Sequence, residues 1–330
     1  LSNNQLVSLP PEIAQLTNLN AIWLYSNQLT FLPPEMGQLA DLETLFLSEN
    51  QLVSLPPELG KLAKLETLDL DENPLTSPSP EIIAQVTPAI LAFLRERGQD
   101  STRQWVSKLL LVGEGSVGKT SLLRALRGEE FKLSETTTRG IEIKPVELDH
   151  PTEENVTMQL NAWDFGGQEI YHATHQFFLT GRSLYLLLWN ARLGFEQGKL
   201  YYWLDIIQSK APGSPVLIVA THIDERDADI PLSDIRNEYP QVIGHCGISN
   251  LDGTGIESLR EKIRSAAAQL PLMGETWPLN WLNAANSVRN LRDERRITPE
   301  RLQELMGRHN IHGDSIQVLS QWLHDLGDIL

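Results

Sequence analysis

Between residues 113 and 120 the chain reads Gly113-Glu114-Gly115-Ser116-Val117-Gly118-Lys119-Thr120, which fits G-x-x-x-x-G-K-[ST] between an apolar strand and a helix. Glycines at 113, 115 and 118 let the backbone fold so that its amides, from Gly113 through Ser121, surround a chain of phosphates. Lys119 can reach the terminal phosphates, and the Thr120 hydroxyl can ligate Mg2+. About 45 residues on, Asp164-Phe165-Gly166-Gly167-Gln168-Glu169 follows an apolar stretch ending at Trp163. Asp164 there suits an outer-sphere contact to the metal, Gly167 offers an amide to a γ-phosphate, and Gln168 can orient an attacking water.

Two further segments bear on base and metal. Thr221-His222-Ile223-Asp224 follows the apolar run Pro215–Ala220. A carboxylate such as that of Asp224 can accept from both N1–H and the N2 amino group of guanine, a pair that adenine does not offer. Asn-Lys-x-Asp is the usual form, so Thr221 and His222 are expected to change both the packing over the base and the bracing of the phosphate loop. In Thr136-Thr137-Thr138-Arg139-Gly140-Ile141, Thr138 stands just before Gly-Ile and a strand, and is expected to bind Mg2+ only when a γ-phosphate is present. Ser249 and Asn250, after the strand-like Gln241–Cys246, are candidates for the last base-contacting loop, with a plain βα loop as the alternative. His172 and His175 read as surface or switch histidines rather than metal ligands.

These loops need a frame. From about Trp105 the pattern alternates buried strands (Lys108–Val112, Met158–Trp163, Ser183–Trp189, Pro215–Ala220) with helices (Ser121–Leu126, Tyr201–Gln208, Ile256–Ala268). That implies an α/β doubly wound, mainly parallel sheet covered on both faces, with the site at the C-terminal strand ends.

The N-terminal part is different. Leu1, Leu24, Leu47 and Leu70 recur every 23 residues inside L-x-x-L-x-L-x-x-N, with Ile22 replacing one leucine. This is the period of leucine-rich repeats, a solenoid whose units bury leucines only against neighbours. Outward strand positions read Trp23, Phe46, Asp69 and Tyr25, Ser48, Asp71, and residues 1–100 hold 4 basic and 13 acidic residues. This is a candidate patch for a basic or mixed protein partner, or else Trp23 and Phe46 simply stack on each other. Pro74, Pro78 and Pro80 break the repeat, and a helix Ala89–Arg97 is expected as its cap.

Composition narrows the classes. The 330 residues carry a net charge of −16, which argues against nucleic acid as a general partner. No apolar run of membrane-spanning length is present. The single cysteine, Cys246, excludes an intrachain disulfide and a multi-cysteine zinc site. A cytoplasmic setting is expected. Leu1 lies inside a repeat and Leu330 ends an uncapped apolar run, so both ends are expected to be cuts in a longer chain.

The 23-residue repeats, Gly113–Thr120, Asp164–Glu169 and the Thr-His-x-Asp variant at Thr221–Asp224 together resemble the Roco family. Its members place leucine-rich repeats, a Ras-like Roc GTPase domain and a COR domain in that order. The helical pieces Trp277–Val288, Thr298–His309 and Asp314–Leu330, with Trp322-Leu323-His324-Asp325-Leu326-Gly327, are similar to the opening of COR. The organisation implied is repeats at 1–80, cap and linker at 81–104, Roc at 105–272 and the start of COR at 273–330. The resemblance implies GTP binding with slow, Mg2+-assisted hydrolysis to GDP, and homodimerisation through COR. Gly115 leaves room beside the γ-phosphate, and Arg139, Arg182 and Arg192 are the candidate transition-state cations. The alternative is an interaction scaffold that holds nucleotide with little or no turnover.

Overall fold

The computed structural model describes residues 1–78, 80–84, 86–98, 101–132, 140–166, 178–194, 199–291 and 297–329. By internal contacts the chain forms two compact units, Leu1–Gln104 with Glu275–Leu323, and Trp105–Gly274 with His324–Leu330.

In the first unit, three short strands, β1 (Ala21–Trp23), β2 (Thr44–Phe46) and β3 (Thr67–Asp69), pair in parallel with Trp23, Phe46 and Asp69 in register. Their inward leucines (Leu24, Leu45, Leu47, Leu70) are buried, as a unit that cannot close its own core requires. On the other side, each Leu-Pro-Pro-Glu stretch makes one 3-10 turn, at Pro11–Gln15, Pro34–Gln38 and Pro57–Lys61, with proline at its start where no amide partner is needed. The bend after each strand is held by its asparagine. Asn50 Nδ2 donates to Leu24 O, Leu47 O and Ser48 O at 2.9–3.1 Å, while its Oδ1 accepts from Leu29 N at 3.0 Å. Asn27 and Asn73 repeat the arrangement one unit either side.

Helix α1 (Pro80–Ile83) leads to α2 (Thr87–Arg97), which covers the end of the solenoid. Thr87 Oγ1 accepts from Leu68 N (3.1 Å) on the edge strand, and Arg95 Nε donates to Gly60 O (3.0 Å). Strand β4 (Ser101–Gln104) then pairs antiparallel with a distant strand, Glu275–Pro278, setting Gln104 opposite Glu275. The sequence pattern puts Trp277 in a helix. It lies in that strand instead, and the helix begins only after Pro278, whose extended backbone serves as its N-cap. The helices that follow, Leu279–Arg289, Pro299–Arg308 and Asp314–Asp325, bring Trp281 and Trp322 onto Phe93 of α2, with ring centroids 5.4 and 5.7 Å away. Trp277 lies 5.0 Å from Trp322. The Glu96 carboxylate accepts from Trp281 Nε1 and from Ser315 Oγ (3.4 Å), and burial raises its pKa.

In the second unit, six strands order among the described residues as β10-β9-β8-β5-β7-β6: β5 (Val106–Val112), β6 (Ile141–Asp149), β7 (Thr157–Phe165), β8 (Leu184–Asn190), β9 (Val216–Thr221) and β10 (Val242–Gly247). Every pairing is parallel except β6 with β7. Side chains alternate across the sheet. Leu109 and Leu111 join a core under α3 (Lys119–Leu126) and α6 (Ile256–Ala267). Leu110 and Val112 join the opposite core under α4 (Leu200–Lys210) and α5 (Leu232–Glu238). Lys108, fully buried in β5, donates to Phe178 O (2.9 Å) and sits 4.2 Å over the Trp163 ring. Burial, opposed by Asp325, pushes its pKa down to about 7. The segment from His324 docks beside it: Asn161 Nδ2 donates to Leu326 O at 2.8 Å, and Arg182 pairs with Asp325 at 3.2 Å.

Candidate functional site: a phosphate loop and its braces

The phosphate loop leaves β5 through Gly113, whose φ of +135° and position leave no room for a side chain: a Cβ would lie 2.3 Å from Leu188 O. Ser116 is left-handed at φ +59°, Gly118 follows at +90°, and α3 starts at Lys119. Gly115 and Ser116 are exposed, whereas Val117 is buried in the core. Lys119 Nζ donates back to Gly113 O (2.8 Å) and Glu114 O (2.7 Å), so the lysine spans its own loop. Burial pushes its pKa down to about 8 against the attraction of Asp164 and Glu114. Thr120 Oγ1 donates to Asp164 Oδ2 at 2.6 Å, and Ser121 follows in the first turn of α3. Asp164 is fully buried near the end of β7, in register with Leu111 of β5. These two oxygen donors are of the kind that Mg2+ takes.

Thr221 ends β9 and His222 turns the chain at φ +61°. The loop is braced here by a hydroxyl where the usual motif has an amide: Thr221 Oγ1 donates to Val117 O at 2.8 Å. The same oxygen lies 3.2 Å from Trp189 O and 2.9 Å from His222 Nδ1. Asp224, two residues on, is exposed. Ser249 is buried, its Oγ accepting from Leu251 N (3.3 Å), and Asn250 Nδ2 donates to Gly118 O (3.3 Å). The loop after β10 is thereby drawn onto the phosphate loop, and Ile223 N donates to Ile248 O (3.3 Å) between the two outer loops.

Thr138, Gly167 and Gln168 lie outside the described residues, as do Arg139, His172 and His175. Arg182 precedes β8, at the opposite end of that strand from Asn190, and so stands away from the loop pole of the sheet. Arg192 is on the loop side, where it pairs with Glu225 at 3.1 Å and donates to Asn190 Oδ1. One contact had no signal in the sequence. Glu114, a variable position of the motif, accepts from Trp203 Nε1 (3.3 Å) and pairs with Lys199 (3.2 Å), which ties the loop to α4 across about 90 residues. In the repeats, Trp23 is half exposed, and Asp69 accepts from Ser48 Oγ at 2.8 Å beside Asp71.

A phosphate loop after β5, an aspartate on β7 and a Thr-His-x-Asp turn after β9, on a parallel sheet with one antiparallel edge, define a Ras-like domain. Residues 108–224 match the family model described as Ras of Complex, Roc, domain of DAPkinase, and residues 26–75 match Leucine rich repeat. The chain is 33% identical over 280 residues to a probable serine/threonine-protein kinase, pats1, of Dictyostelium discoideum, covering 76% of this chain and 9% of that protein. It is 32% identical over 165 residues to leucine-rich repeat serine/threonine-protein kinase 1 of Mus musculus, covering 48% of this chain and 8% of that one. Among solved structures it resembles the Methanosarcina barkeri Roco2 RocCORdC bound to GDP, at 34% identity and a TM-score of 0.61, with 69% of each chain covered. The chain belongs to the Roco family. It spans about a tenth or less of the length of these curated relatives.

Proposed function

We propose that the chain is a Mg2+-dependent switch that binds GTP and hydrolyses it slowly to GDP, joined to a leucine-rich-repeat interaction platform in a cytoplasmic protein. The observation that carries this reading is the convergence on one loop of Lys119, the Thr120–Asp164 pair and the Thr221 brace. In it, residues 105–272 are the Roc switch, 1–80 the platform, 81–104 its cap and linker, and 273–330 the opening of COR, through which the longer protein would form a homodimer. Gly113, Gly115, Ser116, Val117, Gly118 and Ser121 would cradle the phosphates with Lys119. Thr120 and Thr138 would hold Mg2+ directly and Asp164 through water. Bound there, the ion would offset charge on the β- and γ-phosphates. Gln168 would orient water beside the Gly167 amide. Asp224 would read guanine, with Thr221, His222, Ser249 and Asn250 closing the base side. Trp23, Tyr25, Phe46, Asp69 and Asp71 would form the platform's contact for a basic partner.

The test is the affinity for GDP, GTP and ATP with Mg2+, together with turnover, for the chain and for Lys119→Ala, Gln168→Leu and Asp224→Asn. Guanine preference should exceed roughly a hundredfold and collapse in Asp224→Asn, since the carboxylate's bidentate pair to guanine N1–H and N2 is lost. Equal affinity for ATP would overturn the assignment. The scaffold reading draws on Arg192, whose guanidinium is held by Glu225 and Asn190 rather than left for a phosphate. Tight GTP binding with no turnover, unchanged in Gln168→Leu, would select it.

A further inference from the structure

Thr221 Oγ1 stands at the meeting point of three groups: Val117 O (2.8 Å), Trp189 O (3.2 Å) and His222 Nδ1 (2.9 Å). A hydroxyl has one proton to give, and the two carbonyls can only accept. The imidazole nitrogen is the one partner able to take either role. With a proton on Nδ1, the ring donates to Oγ1 and the hydroxyl proton is left for the carbonyls, of which that of Val117 is nearer. With Nδ1 bare, the ring draws the same proton away and the phosphate loop loses its brace. The backbone around the ring is tied: Ile223 N donates to Ile248 O, and Glu225 N donates to His222 O.

We infer that His222 is a positioning residue whose protonation, relayed through the Thr221 hydroxyl to Val117 O, sets how firmly the phosphate loop holds its nucleotide. The inference rests on the guanine-nucleotide reading above and adds a regulator to that site. Val117 is well placed to transmit the effect, since its side chain is packed in the core two residues before Lys119. Among the described residues the charged groups facing the ring are Arg192, from the segment after β8, and Asp224 and Glu225 of its own turn. The groups of the phosphate loop and of the loop after β10 that meet beside Thr221, namely Val117, Gly118 and Asn250, are neutral. Burial first, then Arg192, holds the His222 pKa below the usual imidazole range, with Asp224 and Glu225 opposing. The sign follows. At pH values below that depressed pKa the imidazolium donates from Nδ1 and the brace is closed; as pH rises through it the neutral ring populates the tautomer with Nδ1 bare, and in that fraction the brace loosens.

The experiment is release of methylanthraniloyl-GDP from the Mg2+ complex between pH 5 and 8, for the whole chain and for His222→Asn, Thr221→Val and Thr221→Ser. Release should be about fivefold slower at the acid end, the worth of one neutral hydrogen bond. That step should vanish in His222→Asn and Thr221→Val and survive in Thr221→Ser, which keeps the hydroxyl if the valine variant folds poorly. A step that persists in a folded Thr221→Val would mean that the ring acts on the base directly, and overturns the relay. A flat profile in the unmodified chain overturns it as well. A chain that takes up no methylanthraniloyl-GDP at any pH fails the guanine reading itself, an outcome distinct from binding without a step.

Discussion

Lys119 illustrates how much of the site is a matter of single groups. Its ammonium is buried against two carbonyls of its own loop, and its pKa is pushed down to about 8. Phosphates arriving beside it would favour the charged form and raise that value again. Binding then takes up a proton wherever the free lysine is partly neutral, so affinity is full below pH 8 and declines as pH rises through it. GDP should bind about tenfold more weakly at pH 9 than at pH 7.5. Calorimetry at pH 8.5 in buffers of different ionisation enthalpy should show uptake approaching one proton, and none in Lys119→Ala. If affinity is level from pH 7.5 to 9, the lysine stays charged in the free loop and the argument fails. The residues of this loop were legible in the sequence because each type has one job there. The Thr221 brace was not. Its geometry depends on where Val117 O lies, which no local pattern records.

At the scale of elements, legibility followed periodicity. Strands β5, β7, β8 and β9 are buried on both faces and read as continuous apolar runs, so they were found to within a few residues. Helix α5 has seven residues, of which Ile235 is buried, too little apolar surface to leave a period. Strand β4 (Ser-Thr-Arg-Gln) and its partner Glu275–Pro278 are four residues each, and what makes them strands is their pairing across 170 residues, which no local pattern records. The repeat elements are the opposite case, since the asparagine that marks them in the sequence is also what holds them. Asn50→Ala would strip one amide and three carbonyls of a buried turn of their partner. It should cost about 2–4 kcal/mol. Hydrogen exchange at the Leu29 amide is the direct check, and should accelerate well beyond that of amides in β8. Unchanged protection at Leu29 would mean that water replaces the side chain at no cost.

For the molecule as a whole, the unexpected feature is that the nucleotide fold interrupts another unit rather than following it. Of residues 273–330, which the sequence resemblance assigns to the opening of COR, Glu275–Leu323 form one compact unit with Leu1–Gln104. Gln104 and Glu275 face each other in register, and Trp281 and Trp322 sit on Phe93 of the helix that covers the repeats. Excising Trp105–Gly274 and closing Gln104 to Glu275 with an Asn-Gly turn should therefore give a folded protein, because two-residue turns of that type match the twist of an antiparallel pair. Its cooperative unfolding in urea should be lost in Trp322→Ala, which removes an aromatic worth about 3–5 kcal/mol from the shared core. The complementary piece, residues 105–274 alone, should fold less stably than the same domain in the full chain. Asn161 would lose Leu326 O and Arg182 would lose Asp325, and each leaves a buried polar group to find water instead. Restoring residues 324–329 as an added peptide should recover part of that stability, measured as a rise in Tm that saturates with peptide. If the excised protein is unfolded while residues 105–274 alone are as stable as in the full chain, the two units are a linear series of domains, and the pairing of β4 with Glu275–Pro278 is incidental to folding.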